Sequence, residues 1–456
     1  MARTYTIREF DSFTRNVSVQ ADRFFALPAH TFDQLEKFIL DNKQKTETDA
    51  LELMSISSRR GVGKIISAQN YVGLITMCDG TVIEILPKLY SKDGRFSNDS
   101  EIKKIFLEML RSVREIPYKA FHISNLQTEK NNLFEIFIRM FIEETFLLVK
   151  RGLKSAYIEH QDNEHFYKGK INFAQHIKTN VVHKERFYIA YDIFSLNRAE
   201  NRLIKSTLAF LMKATSSEKN MKDLRVLKTY FDAVEYSGNY EQDFAKVATD
   251  RSMVGYETIL NWCKIFLQKK SFTAFSGSEV AYALLFPMEK IFESYIAKQL
   301  YRSLDKTEYQ LRTQDQGHHL FDEPRRFRLR PDIVVQSTSS CIVMDTKWKI
   351  LSSSYSNYGI SQADMYQMYA YSKKYSPESV FLIYPWTDKV SEVTEQIEYR
   401  SKDNVLVRVF FVDLSDVVGS VGKIVLGIEE QMIIQKNNST HYPNGFLEGL
   451  KINVHL

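Results

Sequence analysis

The stretch RPDIVVQSTSSCIVMDTKWK, residues 330–349, constrains this chain more than any other. It holds two apolar runs, Ile333 to Val335 and Cys341 to Met344, around a small polar segment from Gln336 to Ser340. Apolar, β-branched runs on either side of turn residues predict a β-hairpin. Pairing symmetric about Thr338 and Ser339 sets Asp332 directly across from Asp345, and Arg330 across from Lys347. Ile333, Val335, Ile342 and Met344 then share the other face, which is apolar and expected to be the buried one. Side chains directly opposite have Cβ atoms about 4.5–5.5 Å apart, and like charges there repel. Two carboxylates so held call for a cation between them. Lys347, two residues past Asp345, points to the same side.

Paired carboxylates are hard oxygen donors that suit Mg2+ or Mn2+, ions usually completed by water and substrate phosphates. Such an ion beside a lysine ammonium, facing a phosphate, is equipment for phosphodiester hydrolysis. The ion makes the nucleophile and offsets charge on the pentavalent transition state, while the lysine orients or deprotonates the water. The plainer alternative is a surface hairpin with solvated charges, which a bare D-x-K would suit. The mirror-symmetric placement, the apolar second face and the preceding Pro331 favour the metal site.

A chain of 456 residues has room for two or three domains with cores of their own. Its 44% hydrophobic and 26% charged residues are ordinary globular values. The net charge of +5 permits a local nucleic-acid patch without requiring one. Cys78, Cys263 and Cys341 stand far apart with no C-x-x-C pair, so neither a disulfide framework nor a zinc ribbon is implied. The first twenty residues lack the apolar centre of a signal peptide, and no apolar run approaches the ~18 residues of a membrane span. A soluble cytoplasmic protein without membrane association is expected.

Patterning divides the chain into an α/β, more exactly α+β, multidomain arrangement. Residues 1–120 read as a β-rich module, in which Asp79-Gly80 between two apolar runs is a hairpin signal. RRGVGKII (59–66) lacks the spacing of a phosphate loop, so Gly61 and Gly63 read as turn glycines. Residues 121–275 read as mainly helical, with NNLFEIFIRMFIEETFLLVKRGL stopping at Gly152. Residues 276–456 read as one further domain: a helix over 280–304, strands over 308–314, 326–335 and 341–349, a helix over 361–375 and a strand over 379–386. Ser361 is placed to cap that second helix, and Lys373 and Lys374 suit its C-terminal dipole. The order is αβββαβ, a mixed sheet with helices against it.

That order, with Pro331-Asp332 opening one strand and Asp345-Thr346-Lys347 closing the next, resembles the PD-(D/E)xK nuclease superfamily. More narrowly, NYVGLITMCDGTVIEILPKL, LNRAENRLIK, LLFPMEKIFESYI, LRPDIVV with VMDTKWK, and DMYQMYAY are similar to the McrC family. These are the nuclease subunits of McrBC-type GTP-dependent restriction systems, which act in antiviral defence. The resemblance runs from about residue 65 to the C-terminus, and residues 1 to about 50 look like an extension outside it. It implies Asp332 and Asp345 as metal ligands and Lys347 as the catalytic lysine. It implies Glu293 as an additional acid beside the metal, with Glu289, one turn earlier on the same helix face, as the alternative. Gln367 and Tyr371 match the Q-x-x-x-Y pattern of RecB-like members, against a plain reading of Tyr366, Tyr369 and Tyr371 as core packing. Arg326, Arg328 and Arg330 alternate onto the face of Asp332 if the strand extends back that far, where they would hold DNA phosphates. A solvated edge strand is the alternative.

The sequence has no G-x-x-x-x-G-K-[ST] motif, so any GTP dependence is expected to come from another subunit. The resemblance implies a McrB-like AAA+ GTPase, with the N-terminal region of this chain docking on it and stimulating hydrolysis. The expected function is that of a Mg2+-dependent DNA endonuclease subunit. A stand-alone repair or recombination nuclease and a non-catalytic DNA-binding adaptor are the alternatives.

Overall fold

The computed structural model describes residues 3–16, 23–41, 53–77, 81–92, 94, 96, 98–113, 132–247, 254–267, 280–338, 340–377, 379–390 and 396–439. The chain forms two compact units, and both are discontinuous in sequence. One comprises residues 1–85 and 114–286, the other 86–113 and 287–456. The division differs from the three consecutive segments expected at 1–120, 121–275 and 276–456.

The first unit opens with β1 (Thr4–Arg8), β2 (Ser12–Thr14), β3 (Phe24–Ala26), α1 (Ala29–Asp41), β4 (Met54–Arg59), β5 (Gly63–Ala68), β6 (Tyr71–Met77) and β7 (Val82–Leu86). β6 and β7 pair antiparallel, as an Asp79-Gly80 turn requires, although that turn lies outside the described residues. Gly61 and Gly63, both at positive φ, turn β4 into β5. The described residues among the first forty, 3–16 and 23–40, are not an appendage. β1 lies beside β7 in one sheet and β2 beside β5 in another, and α1 buries Phe32, Leu35, Phe38 and Ile39 in a core shared with Ile66, Ile75, Ile83 and Leu285.

α2 (Asp99–Leu110) belongs to the second unit. The first resumes with α3 (Leu133–Arg151), β8 (Ala156–Glu164), β9 (Lys170–Ile171), α4 (Phe173–Thr179), β10 (Phe187–Ser195), α5 (Ala199–Ala214), α6 (Glu218–Thr229), α7 (Tyr240–Ala245), α8 (Val254–Leu267) and β11 (Val280–Pro287). The Asn132 side chain caps α3 by accepting from Glu135 N–H at 3.0 Å, and Gly152 at φ +90° ends it. β11 corrects the expected helix over 280–304. Its apolar run VAYALLF is a strand that lies beside β6, some two hundred residues away in sequence. Gly73 of β6 permits the pairing, because a Cβ there would sit 2.0 Å from the Leu284 carbonyl oxygen.

The second unit continues with α9 (Met288–Ser303), β12 (Gln310–Thr313), β13 (His319–Asp322), β14 (Arg325–Arg328), β15 (Ile333–Gln336), β16 (Cys341–Thr346), α10 (Gln362–Tyr375), β17 (Val380–Pro385), β18 (Gln396–Arg400), β19 (Leu406–Val412) and α11 (Val417–Ser439). Six strands form one mixed sheet in the order β12-β15-β16-β17-β19-β18. The β15–β16 register matches expectation, with Ile333 on Met344, Val335 on Ile342 and Gln336 on Cys341. Continuing it sets Asp332 opposite Asp345.

Two features of the hairpin differ from the reading. Both faces are buried, not one: Val334 and Val343, on the carboxylate side, pack under Met368 and Tyr371 of α10. A parallel neighbour explains this, since β16 is followed by β17 on its far side and a helix must cover the crossover. The strand expected over 326–335 is also broken. Phe327 lies in the left-handed region at φ +55°, and β14 pairs with β13 as a separate two-stranded ribbon. Arg326, Arg328 and Arg330 therefore do not continue the strand of Asp332. Lys347 N–H bonds to Ile383 O of β17 at 2.9 Å, extending the parallel pairing one residue past β16.

Candidate active site

The carboxylates meet where β12, β15 and β16 end together. Asp345 closes β16 and is 2% exposed, while Asp332 precedes β15 and is half-buried. Asp332 Oδ2 accepts from both the backbone N–H and the hydroxyl of Thr346, each at 2.8 Å, which locks its rotamer. Its other oxygen accepts from Gln314 Nε2 at 3.2 Å, and the same amide nitrogen donates to Glu293 Oε1 at 2.6 Å. Gln314 is thus a bridge between two acids. Glu293 of α9 is half-buried, whereas Glu289, one turn earlier, is exposed.

Lys347 Nζ stands 2.5 Å from Asp345 Oδ2 as a close ion pair. It donates to Gln367 Oε1 at 3.0 Å, and Gln367 in turn donates to the Tyr371 hydroxyl at 2.8 Å. Tyr371 is 2% exposed and belongs to the core, but Tyr366 and Tyr369 are exposed, so the tyrosines of α10 do not act together as packing. One turn nearer the start of the helix, Ser361 caps α10 by accepting from Asp364 N–H at 3.2 Å, and Lys349 donates to Asp364 at 2.8 Å.

Charge follows from this crowding. Burial, and then the neighbouring Asp332, push the Asp345 carboxyl up to about 7. Burial and Asp332 likewise push Glu293 up to about 7. Asp332 is raised by burial against the opposing Thr346 hydrogen bonds. Burial works against the Lys347 ammonium, but Asp345 outweighs it and holds the lysine charged beyond its ordinary range. Asp364 is lowered in spite of its burial, because Lys349 and Ser361 bond it.

Glu293, Asp332, Asp345, Lys347 and Gln367 are therefore linked in one chain of contacts, and Arg326, Arg328 and Arg330 stand outside it. Among the described residues, no three His, Cys, Asp or Glu side chains are gathered closely enough to hold a metal ion. Gln314 stands between Glu293 and Asp332, and Lys347 engages Asp345. Sequence reasoning missed Gln314, Thr346, Lys349 and Asp364. Gln314 alone carries an unusual local mark, a non-glycine residue at φ +51° directly after a strand.

The family model described as McrBC 5-methylcytosine restriction system component matches residues 66–385. The type IV methyl-directed restriction enzyme EcoKMcrBC of Escherichia coli (strain K12) is 24% identical over 280 residues, covering 57% of this chain and 78% of that one. The fold is similar to a chain of the refined half-complex from the tetradecameric assembly of Thermococcus gammatolerans McrB AAA+ hexamers with bound McrC. The TM-score is 0.67 at 18% identity, covering 92% of this chain and 100% of that chain. Among the described residues, no helix is long and apolar enough to cross a membrane. With its family model spanning well over half of its length, the chain belongs to the McrBC restriction system component family.

Proposed function

We propose that the chain is the nuclease subunit, of McrC type, in a GTP-dependent restriction complex, and that it hydrolyses DNA phosphodiesters at a PD-(D/E)xK site. The observation that carries this reading is the meeting of Asp332, Asp345 and Lys347 at the strand ends of a mixed sheet, with Glu293 of α9 joined to Asp332 through Gln314. Asp345 and Glu293 are driven toward neutrality by burial first and by the neighbouring Asp332 second. An arrangement that raises carboxyl pKa values to about 7 is costly unless a cation is part of its working state.

By donor chemistry the carboxylates suit Mg2+ or Mn2+, although among the described residues they are not gathered around one point. Asp332 and Asp345 would hold the ion, with Glu293 as the additional acid, and the ion would take over from Lys347 the neutralising of the buried Asp345 carboxylate. When bound, the ion supplies Lewis-acid charge against the phosphate being cut. Gln314 and Lys347 now stand where it would compete, and both have side chains long enough to withdraw. Lys347, charged at neutral pH, acts by orienting the attacking water and stabilising phosphate charge, since a group held as an ammonium is a poor base. Gln367 holds the ammonium, and buried Tyr371 holds Gln367.

The solved Thermococcus assembly is of McrB AAA+ hexamers with bound McrC, and this supports a McrB-like AAA+ GTPase as partner. Within the N-terminal region expected at 1–120, we assign docking to the β-rich part that belongs to the first unit, residues 1–85. The test is to purify the chain with the AAA+ protein encoded beside it and assay DNA cleavage with Mg2+, with and without GTP. Cleavage that needs GTP and partner, and is lost in Asp345→Asn, is expected. Cleavage by the chain alone would instead indicate a stand-alone nuclease, and binding without cleavage under all conditions an adaptor.

A further inference from the structure

The segment between Gln314 and Asp332 leaves the carboxylate cluster and returns to it. Gln314 N–H bonds to Asp332 O at 2.9 Å, closing the root of the excursion inside the site itself. Within it β13 and β14 pair antiparallel as a two-stranded ribbon. It is tied to the end of α10 at both ends: at the root Tyr375 donates to Asp315 at 2.7 Å and the His318 and Tyr375 rings lie 4.1 Å apart, and at the turn Lys374 takes Asp322 at 2.7 Å. The residues of both strands from Leu320 to Arg328 are nevertheless exposed. Residues 325–330 carry four arginines and no acid, and Asp322, the acid opposite Arg325, is already held by Lys374. Phe321 and Phe327 meet edge to face at 5.9 Å, yet remain 56% and 72% exposed.

We propose that this ribbon is an arm that grips duplex DNA beside the scissile phosphate, with Arg325, Arg326 and Arg330 on backbone phosphates and the Phe321–Phe327 pair against the minor groove. The assignment rests on the nuclease reading of the carboxylate cluster and names how its substrate is held. Charge selects the occupant. A run of arginines uninterrupted by acids matches the phosphate backbone, and a two-stranded ribbon is narrow enough to enter a groove. Apolar wedges flanked by arginine are a recurring minor-groove device. An apolar pair held edge to face, exposed and fixed on a tethered ribbon is pre-positioned for that contact. Because the root is closed by Gln314 and Asp332, the arm is continuous with the carboxylate cluster.

The experiment uses the full chain carrying Asp345→Asn, which separates binding from cleavage, and a fluorescein-labelled mixed-sequence duplex of ~30 base pairs titrated over a range of salt. Arg325→Ala with Arg326→Ala is expected to weaken binding about tenfold and to flatten the salt dependence of log K by roughly 2, one per lost phosphate contact. Phe321→Ala with Phe327→Ala is expected to weaken binding about three- to tenfold with the salt slope unchanged, because an apolar contact releases no counterions. All these residues are exposed, so melting temperatures should not move. Duplex affinity and slope unaltered in both variants, or no duplex binding by the intact ribbon, would overturn the arm. Altered sedimentation or loss of AAA+ partner capture with DNA binding intact would overturn it in favour of a protein interface. The two readings part cleanly. Mg2+-dependent cleavage that is indifferent to the ribbon leaves the nuclease and removes the arm, while ribbon-dependent binding without any cleavage does the reverse.

Discussion

Asp345 is an aspartate whose surroundings resist its charge, and this has a measurable sign. Its carboxyl is pushed from 3.8 to about 7 by burial and by Asp332. An acid raised in the folded state contributes stability that is complete below its unfolded pKa and is lost as pH rises through the folded one, here between about 4 and 7. In chelator, Asp345→Asn should therefore match the wild type near pH 4 and exceed it by about 1–3 kcal/mol above pH 7. Mg2+ should raise the melting temperature of the wild type and leave Asp345→Asn unmoved, while Asp345→Asn and Asp332→Asn both abolish cleavage. A variant less stable than wild type at pH 8 without metal would show that Lys347 already satisfies the pair. Lys347→Ala should lose turnover and keep or tighten its Mg2+ affinity, because Asp345 is left without its ion pair. Arginine should rescue poorly, as its fork does not reproduce a point charge between Asp345 and Gln367. The facing of Asp332 and Asp345 was legible because a short turn fixes register, and register fixes which side chains meet. Gln314 was not legible: it becomes a neighbour of Asp332 only when β12 pairs with β15 across the whole ribbon.

At the scale of elements, local chemistry was readable and long-range pairing was not. Ser361 caps α10 and Lys373 and Lys374 end it, as expected, because capping is decided within one turn. Ser361→Ala should cost about 1 kcal/mol and, by fraying the turn that holds Asp364, loosen Lys349 before it touches Lys347. The run VAYALLF reads equally as buried helix or buried strand, since a continuous apolar stretch carries no period. What decides for the strand is β6, and the sequence mark of that pairing is Gly73 at φ +138°, which only makes sense once Leu284 is known to lie against it. Gly73→Ala should destabilise the first unit by more than about 2 kcal/mol, through both backbone strain and the clash with the Leu284 carbonyl. Thermal melting that shifts by less than a few degrees would mean that β11 can move aside. The break in the expected strand over 326–335 has a similar origin, since no pattern in RRFRLRPD marks Phe327 for a left-handed backbone.

For the whole molecule, the two units interleave along the chain, and this changes what a useful fragment is. A cut at residue 276 follows composition, but it takes β11 away from β6 and leaves behind α2, which packs on α9. α2 is an integral part of the second unit. Glu108 accepts from the Tyr295 hydroxyl at 3.4 Å, the Arg111 carbonyl accepts from Lys298 Nζ at 2.8 Å, and Lys92 N–H reaches Asp413 at 3.3 Å. Ile102, Phe106, Met109 and Leu110 are buried. Removing that cover exposes apolar surface on α9, the helix that carries Glu293, at roughly 25 cal/mol for each Å2. A 276–456 fragment is therefore expected to aggregate or to melt well below the intact chain. A single chain joining 86–113 to 287–456 through a flexible linker is expected to fold, bind Mg2+ and nick DNA weakly, without stimulating a GTPase. Full-length Asp345→Asn should do the converse, stimulating the partner's GTP hydrolysis while failing to cut, as separate cores allow. Melting curves of the two fragments, followed by GTPase assays with the partner, check both halves. If the 276–456 fragment melts as high as the joined chain, α2 contributes nothing to the second core; if the joined chain stimulates the GTPase at the full level, the docking surface lies beside the nuclease site and not in the N-terminal sheets.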